Sequence, residues 1–180
     1  MIESPRFYPN IPNAIRLLRA YREAWIFGLK DRNSYSRECV VYALQSACGN
    51  HEVPLEWALK LHDIPSYACH EEYWKGMREH LESLPFIKGV QFENISEFDH
   101  LLEKISTMEK NDRLLLVLYP KDGRAHIVHV IHTVPWVLNE GETVLVNDNE
   151  RDIREINEVE FQRNIAPEPI YNCIFFKEAD

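Results

Sequence analysis

Several classes of protein are disfavoured by what this sequence has little of. Lys and Arg together number 20 against 29 Asp and Glu, which gives a formal net charge of −9. The chain therefore lacks the basic surface that binding to nucleic-acid phosphates requires, and its charge disfavours docking on anionic lipid. No apolar run approaches the roughly 20 residues needed to span a bilayer. We expect neither nucleic acid nor a membrane as a partner.

Cysteine is also scarce, with four residues and no CxxC spacing. A small disulfide scaffold would contain more, so we expect reduced thiols. Cys69 and His70 are neighbouring potential metal ligands, but a metal site would need a second pair, which the sequence does not offer. We expect no metal and no cofactor. The first residues lack the basic start and apolar stretch of a secretory signal. The expected location is the cytoplasm, or outside the cell by a non-Sec route.

The chain of 180 residues, of which 45% are hydrophobic, is long enough for one domain with a substantial core. We predict a single domain over residues 1–180, in which residues 1–30 are an N-terminal helical extension. The pattern predicts an α+β fold in two layers, a helical N-terminal half packed on an antiparallel β-sheet from the C-terminal half. Helices are expected over 11–30, 39–48, 54–61, 70–83, 96–108 and after Asn157, and strands over 114–119, 125–134, 142–148 and 170–176.

Cys39 stands at the predicted start of an apolar helix, directly after a polar loop. Unpaired backbone N–H groups and the helix dipole favour the thiolate at such a position. A thiol here is also compatible with an ordinary buried helix residue. Cys39 is therefore a candidate nucleophile whose assignment depends on partners elsewhere in the chain.

Three histidines, His126, His129 and His132, fall on one predicted strand, and side-chain alternation separates His129 from the other two. His132 shares the face of His126 but lies further along the strand, so it is the weaker substitute. His126 and His129 point to opposite faces, so a regular strand cannot bring both to one site. His126 lies at the beginning of the strand, where a side chain can reach a cleft. His129 lies in the middle and is more simply explained as a buried structural residue. We therefore select His126 as the candidate base.

An Asn-Asp-Asn segment ends the next predicted strand, at residues 147–149. If the two strands pair as a hairpin, Asn147 and Asp148 come close to His126, and a carboxylate there would orient and stabilise the imidazolium. Asp148 is the first choice and Asn147 the alternative, because the register cannot be read from the sequence. An Asx-rich turn that merely ends the strand explains the same residues.

The polar loop before Cys39 contains Asn33. Its side-chain amide could donate to a developing oxyanion, together with the backbone N–H of Cys39. Loop asparagines more often form turns, and a turn-forming role is the alternative for Asn33.

Taken together, three stretches of the chain resemble the papain-like cysteine peptidases, and within that fold the bacteriocin-processing, C39-like peptidases. Residues 39–49 with 53–59 resemble the nucleophile helix and the short helix after it. Residues 125–130 resemble the strand that carries the catalytic His. Residues 144–149 with 156–161 resemble the strand end that carries the Asp and the capped helix that follows, and the order Cys, His, Asp is the same.

The chain departs from the family's usual pattern at three points. Val40-Val41 stand where Gly-Pro usually follows the Cys. Asn33 stands where the upstream oxyanion residue is usually Gln. Asn149 stands where Pro usually follows the Asp.

The resemblance implies a papain-like fold and a cysteine hydrolase, that is, a thiol protease acting on a peptide or protein substrate without a cofactor. Cys39 would be the nucleophile, His126 the base and then the acid, Asp148 the orienting group and Asn33 the oxyanion donor. On the same fold the thioester could instead lead to acyl transfer or glutamine deamidation, as in effector-type members. A non-catalytic interaction module is the remaining alternative, because fold does not imply function.

Overall fold

The computed structural model describes residues 9–29, 37–65, 68–121, 124–135, 141–165 and 170–180. Within these ranges the chain forms six α-helices, with a π-helical turn at the end of the first and a 3-10 turn after the third. The helices are α1 (Ile11–Ala24), α2 (Glu38–Ala47), α3 (Leu55–Leu59), α4 (Glu71–Glu82), α5 (Phe98–Ser106) and α6 (Glu158–Arg163). The strands are β1 (Ile87–Glu93), β2 (Asp112–Leu118), β3 (His126–Pro135), β4 (Glu142–Asp148), β5 (Asp152–Ile156) and β6 (Cys173–Glu178).

The six strands form one antiparallel sheet in the order β1-β6-β2-β3-β4-β5. Sequence neighbours β2 to β5 pair in succession, and β6 returns to lie between β1 and β2. The α+β class with an antiparallel sheet, predicted from the sequence, is therefore confirmed.

The prediction of two layers is wrong, because helices cover both faces of the sheet. Helices α1 to α4 pack with alternate β2 residues, Leu115 and Val117, in one apolar cluster. Helices α5 and α6 pack with Leu114, Leu116 and Leu118 in a second cluster on the other face. The unbroken apolar run of β2 follows from this arrangement, since a strand buried on both faces has no polar side.

Two strands were missed in the sequence. The predicted sheet came from the C-terminal half alone, but β1 lies before α5 and forms one edge; its pairing is irregular between Lys88 and Gln91, where Gly89 has φ +63°. At the other edge, β5 follows β4 through a tight turn, and its first residue, Asp152, has φ 58°. Neither segment shows the regular apolar alternation by which strands are recognised.

The pairing of β3 with β4 contains a one-residue shift. The register changes between the pairs Val130–Val146 and His132–Leu145, which leaves Ile131 as an extra residue in β3. This is a β-bulge, which inserts one residue into one strand of an antiparallel pair. Because side chains alternate with a period of two, a shift of one residue exchanges the faces of every later side chain relative to the partner strand.

The bulge decides which Asx residue shares a face with His126. If the register of the pairs nearest the β3–β4 connection, such as His132–Leu145, continued without a shift, Asp148 would lie opposite His129 and share its face. With the shift, Asn147 lies opposite His129, and Asp148 falls on the face of Val128 and His126. Directly opposed residues in an antiparallel pair share a face, so the hairpin carries two His–Asx pairs on its two sides.

Candidate active site

Cys39 lies in the first turn of α2, one residue later than the helix start at Glu38. Arg37 is the N-cap, and its carbonyl accepts the backbone N–H groups of Val40 and Val41. The N–H groups at the very beginning of a helix have no carbonyl partner within it. The Cys39 thiol, which is partly buried, therefore sits beside backbone donors and the positive end of the helix dipole.

The other cysteines occupy different surroundings. Cys48 and Cys173 are fully buried, and burial raises the pKa of each thiol well above its ordinary range. Cys69 is exposed. Buried thiols with a raised pKa remain protonated and inert, which leaves Cys39 as the thiol that combines partial burial with a helix N-terminus.

His126 connects Cys39 with Asp148. Its Nε2 atom lies 2.8 Å from Asp148 Oδ1, and its ring is also hydrogen-bonded to the Cys39 thiol. All three side chains line one cleft of about 810 Å³. Because Nε2 is engaged by the carboxylate, Nδ1 is the ring nitrogen left for the thiol.

The surroundings of His126 favour its charged form. Burial by itself lowers the pKa of the ring, but the hydrogen bonds to Asp148 and Cys39 and their negative charges outweigh burial and raise the pKa to about 10. At neutral pH the ring is therefore an imidazolium, in keeping with the effect of an opposite charge nearby.

Asp148 is held by three donors. Oδ1 accepts from His126 and from the backbone N–H of Glu150 at 2.9 Å, while Oδ2 accepts from Arg154 Nε at 3.0 Å. The side chain is 2% exposed. Burial opposes ionisation, but these hydrogen bonds and the charge of His126 hold the pKa of the carboxyl well below its usual range. Asp148 is therefore a carboxylate at neutral pH.

His129 belongs to a separate, buried network on the other side of β3. Tyr42 donates to Asn147 Oδ1 at 3.0 Å, Asn147 Nδ2 donates to Ser46 Oγ at 2.8 Å, and Ser46 Oγ lies 2.7 Å from His129 Nδ1. Burial and the nearby cation of Arg113 lower the pKa of His129 to about 3. The ring is therefore neutral at neutral pH, and its Nδ1 atom shares a hydrogen bond with Ser46 Oγ.

The structure brings Cys39, His126 and Asp148 together, and it directs Asn147 elsewhere. Asn147, the alternative orienter, is fully buried and bonded to Tyr42 and Ser46. Asn33, the candidate oxyanion donor, lies outside the residues that the structure describes, so its role stays a prediction.

Arg154 and Glu160 also line this cleft, and neither was selected from the sequence. Arg154 pairs across from Val146 in the register of β4 with β5, which puts it on the face of Asp148. One short signal was available: Arg154 stands two residues before the apolar Ile156, the spacing of side chains on one face of a strand. The segment 152–156 was not recognised as a strand, so the signal went unused.

One group of possible metal ligands occurs among the described residues. His126, Asp148 and Glu150 have ligand atoms that all lie within 4.8 Å of one another. In this arrangement His126 Nε2 and Asp148 Oδ1 bind each other, and the guanidinium of Arg154 occupies the other carboxylate oxygen. A divalent cation would have to displace the hydrogen bond between His126 and Asp148 and would lie near the positive charge of Arg154. This set of donors therefore fits a metal ion poorly.

No match to this chain was found in comparisons with family models, with curated proteins and with solved structures. In the part of the chain that the structure describes, no helix has both the length and the apolar character needed to cross a membrane.

Proposed function

We propose that this chain is a papain-like cysteine hydrolase that cleaves a peptide or amide bond through a thioester acyl-enzyme. The observation that carries the proposal is the hydrogen-bonded series of Cys39, His126 and Asp148 along one cleft. A thiol at a helix start, an imidazole in contact with it and a carboxylate that orients the imidazole are the parts of nucleophilic catalysis. The α+β architecture is compatible with the papain-like fold that the sequence resembles.

In the proposed reaction, the proton of the Cys39 thiol passes to His126 Nδ1 before the substrate binds, since the surroundings of the ring favour its charged form, and the thiolate then attacks the carbonyl carbon of the substrate. The carbonyl π electrons move to oxygen, and the backbone N–H of Cys39 at the helix start is placed to stabilise that oxyanion. Asp148 accepts from Nε2–H throughout, which keeps Nδ1 directed at the sulfur and stabilises the imidazolium.

The intermediate collapses when the carbon–nitrogen bond breaks. The imidazolium of His126 gives its proton to the leaving amine, and the acyl group remains on Cys39 as a thioester. His126 then removes a proton from water, which attacks the thioester and releases the acid and the free thiol. An amine in place of water would give acyl transfer, and a glutamine side chain as substrate would give deamidation, so the three activities share every step up to the thioester.

The test uses an activated ester, because the natural substrate is not needed to form the thioester. We expect p-nitrophenyl acetate to acetylate Cys39 faster than the exposed Cys69 of the same chain, with peptide mass spectrometry used to locate the acetyl group. Cys39→Ser and His126→Gln should each abolish this preference. Incubation with a mixture of synthetic peptides then separates a cleaved bond from a deamidated glutamine or a peptide joined to an amine.

Two outcomes would contradict the proposal. Acetylation of Cys39 at the rate of Cys69 would show that the thiol is not activated. Equal acetylation in wild type and His126→Gln would show that His126 is not its base. Either result would favour a non-catalytic interaction module on the same fold.

A further inference from the structure

The Asp148 carboxylate is fixed from the side opposite to His126. Two of its hydrogen bonds, from His126 Nε2 and the Glu150 backbone, reach Oδ1, and the third reaches Oδ2 from Arg154 Nε at 3.0 Å. A carboxylate held at one oxygen alone can rotate about its terminal torsion, which is a broad, shallow one. The contact from Arg154 is the one that fixes the second oxygen.

Arg154 is itself held in place by Glu160. Arg154 Nη1 donates to Glu160 Oε1 at 2.7 Å. Glu160 lies in the first turn of α6, and its backbone N–H donates to the Asn157 cap at 2.9 Å. The planar guanidinium thus bridges two carboxylates through different nitrogens, a geometry that lysine cannot reproduce. The side chains of Arg154 and Glu160 are 17% and 31% exposed, so the bridge is partly sheltered from solvent.

We propose that Arg154 and Glu160 are positioning residues for the candidate triad. Arg154 holds Asp148 in the orientation that presents Oδ1 to His126, and Glu160 fixes the guanidinium that does so. The inference rests on the proposed function of Cys39 and His126. It extends the series of contacts by two residues, from the end of β4 through β5 to the first turn of α6.

Positioning and simple charge effects make opposite predictions for the loss of Arg154. If Arg154 acted only as a charge, its cation would weaken the pull of Asp148 on the imidazolium. Its removal would then strengthen the thiolate–imidazolium pair and speed the reaction of the thiol. If Arg154 positions Asp148, its removal lets the carboxylate turn away from His126, and the thiol reacts more slowly. The direction of the change therefore distinguishes the two effects.

The measurement is the rate at which iodoacetamide alkylates Cys39, followed by peptide mass spectrometry with the exposed Cys69 as internal reference. We expect Arg154→Gln to slow alkylation of Cys39 by about tenfold, by analogy with the lower end of the loss that follows removal of a group that orients a metal ligand. Arg154→Lys should restore only part of the rate, because it keeps the charge without the planar fork. Glu160→Gln should reduce the rate by a smaller factor.

Arg151→Gln is the matched control. Arg151 lies in the same cleft and carries the same charge, but its side chain is exposed at the rim. In this variant we expect Cys39 to be alkylated at a rate within about twofold of wild type, since an exposed charge in water has a small effect. An Arg154→Gln rate equal to or above that of wild type would overturn the inference.

A second readout separates positioning from loss of folding and from failure of the proposed function. In proton–nitrogen correlation spectra, the Nε2–H resonance of His126 should broaden or move in Arg154→Gln, while far-ultraviolet circular dichroism stays as in wild type. If Arg154→Gln does not fold, Glu160→Gln provides the same two measurements, and an unchanged His126 resonance and rate in it overturn the inference. If Cys39 is alkylated as fast in His126→Gln as in wild type, the proposed function fails. If alkylation of Cys39 is slow in His126→Gln but not in Arg154→Gln, this inference alone fails.

Discussion

Replacement of Asp148 by Asn tests whether the carboxylate controls the charge of His126. The pKa of His126 is raised to about 10, against an ordinary value of about 6.5. That difference corresponds to about 5 kcal/mol in favour of the imidazolium, at about 1.4 kcal/mol per pH unit. Burial opposes the charged form, so the hydrogen bonds and charges of Asp148 and Cys39 must supply the whole effect.

Asn keeps an oxygen that can accept from Nε2–H, but it carries no charge. Loss of one opposite charge in direct contact changes a pKa by about 1–3 pH units, and we expect the pKa of His126 to fall by about this amount in Asp148→Asn. The sign follows from which form is stabilised: the carboxylate favours the protonated ring, so its removal lets the ring lose its proton at lower pH. Cys39→Ser should lower the pKa of His126 separately, because the contact with Cys39 also favours the charged ring.

The assay is a pH titration of the imidazole resonances in proton–nitrogen correlation spectra, with His126 assigned as the signal that His126→Gln lacks. His129 is the internal reference, because its pKa is lowered to about 3 and it should stay neutral from about pH 5 upward. The reasoning is refuted if wild-type His126 titrates near 6.5, or if Asp148→Asn leaves its titration unchanged.

Three further predictions concern the frame of the site. Asn147→Ala removes the partner of two buried hydroxyls and should lower the free energy of unfolding in urea by about 1–3 kcal/mol. Arg113→Met leaves the fully buried Glu178 carboxylate without the cation 2.9 Å from it, for an expected loss of about 3–5 kcal/mol in the same assay. Deletion of Ile131 removes the unpaired residue, so that the pairs Val130–Val146 and His132–Leu145 become consecutive and Asp148 keeps the face of His126; alkylation of Cys39 should stay faster than that of Cys69, and a fall to the rate of Cys69 would contradict the assignment of Ile131 as the bulge residue.

The parts of the site that could be predicted from the sequence are those set by local patterns. A polar loop followed by an apolar helical run located Cys39 at a helix start, since helix periodicity and capping act over one or two turns. Alternation along one strand separated His126 from His129, since side-chain direction in a strand depends only on parity. Both inferences needed no knowledge of which segments pair.

The rest depended on pairing between segments that no local pattern specifies. Counting inward from the centre of the turn brought Asp148 near His126, but parity changes at every inserted residue. Ile131 is such a residue, and it resembles its apolar neighbours. Arg154 was missed for a related reason: β5 has only five residues, so its alternation is too short to distinguish a strand from a loop.

The two His–Asx pairs of the β3–β4 hairpin show how burial and charge divide similar side chains between different uses. On one face His129 meets the neutral Asn147 and Ser46 in a fully buried network, where burial and the cation of Arg113 keep the ring uncharged. On the other face His126 meets a carboxylate and a thiol at the wall of a cleft, where both partners favour the cation. To exchange protons with a substrate, a histidine ring must be reachable from the cleft and must lie beside a group that can gain or lose a proton. Of these two histidines, His126 meets both conditions. The bulge at Ile131 therefore does more than bend a strand: because no β4 residue pairs with Ile131, the carboxylate lies on the accessible face and the amide on the buried one, which is the distribution that acid–base chemistry at Cys39 requires.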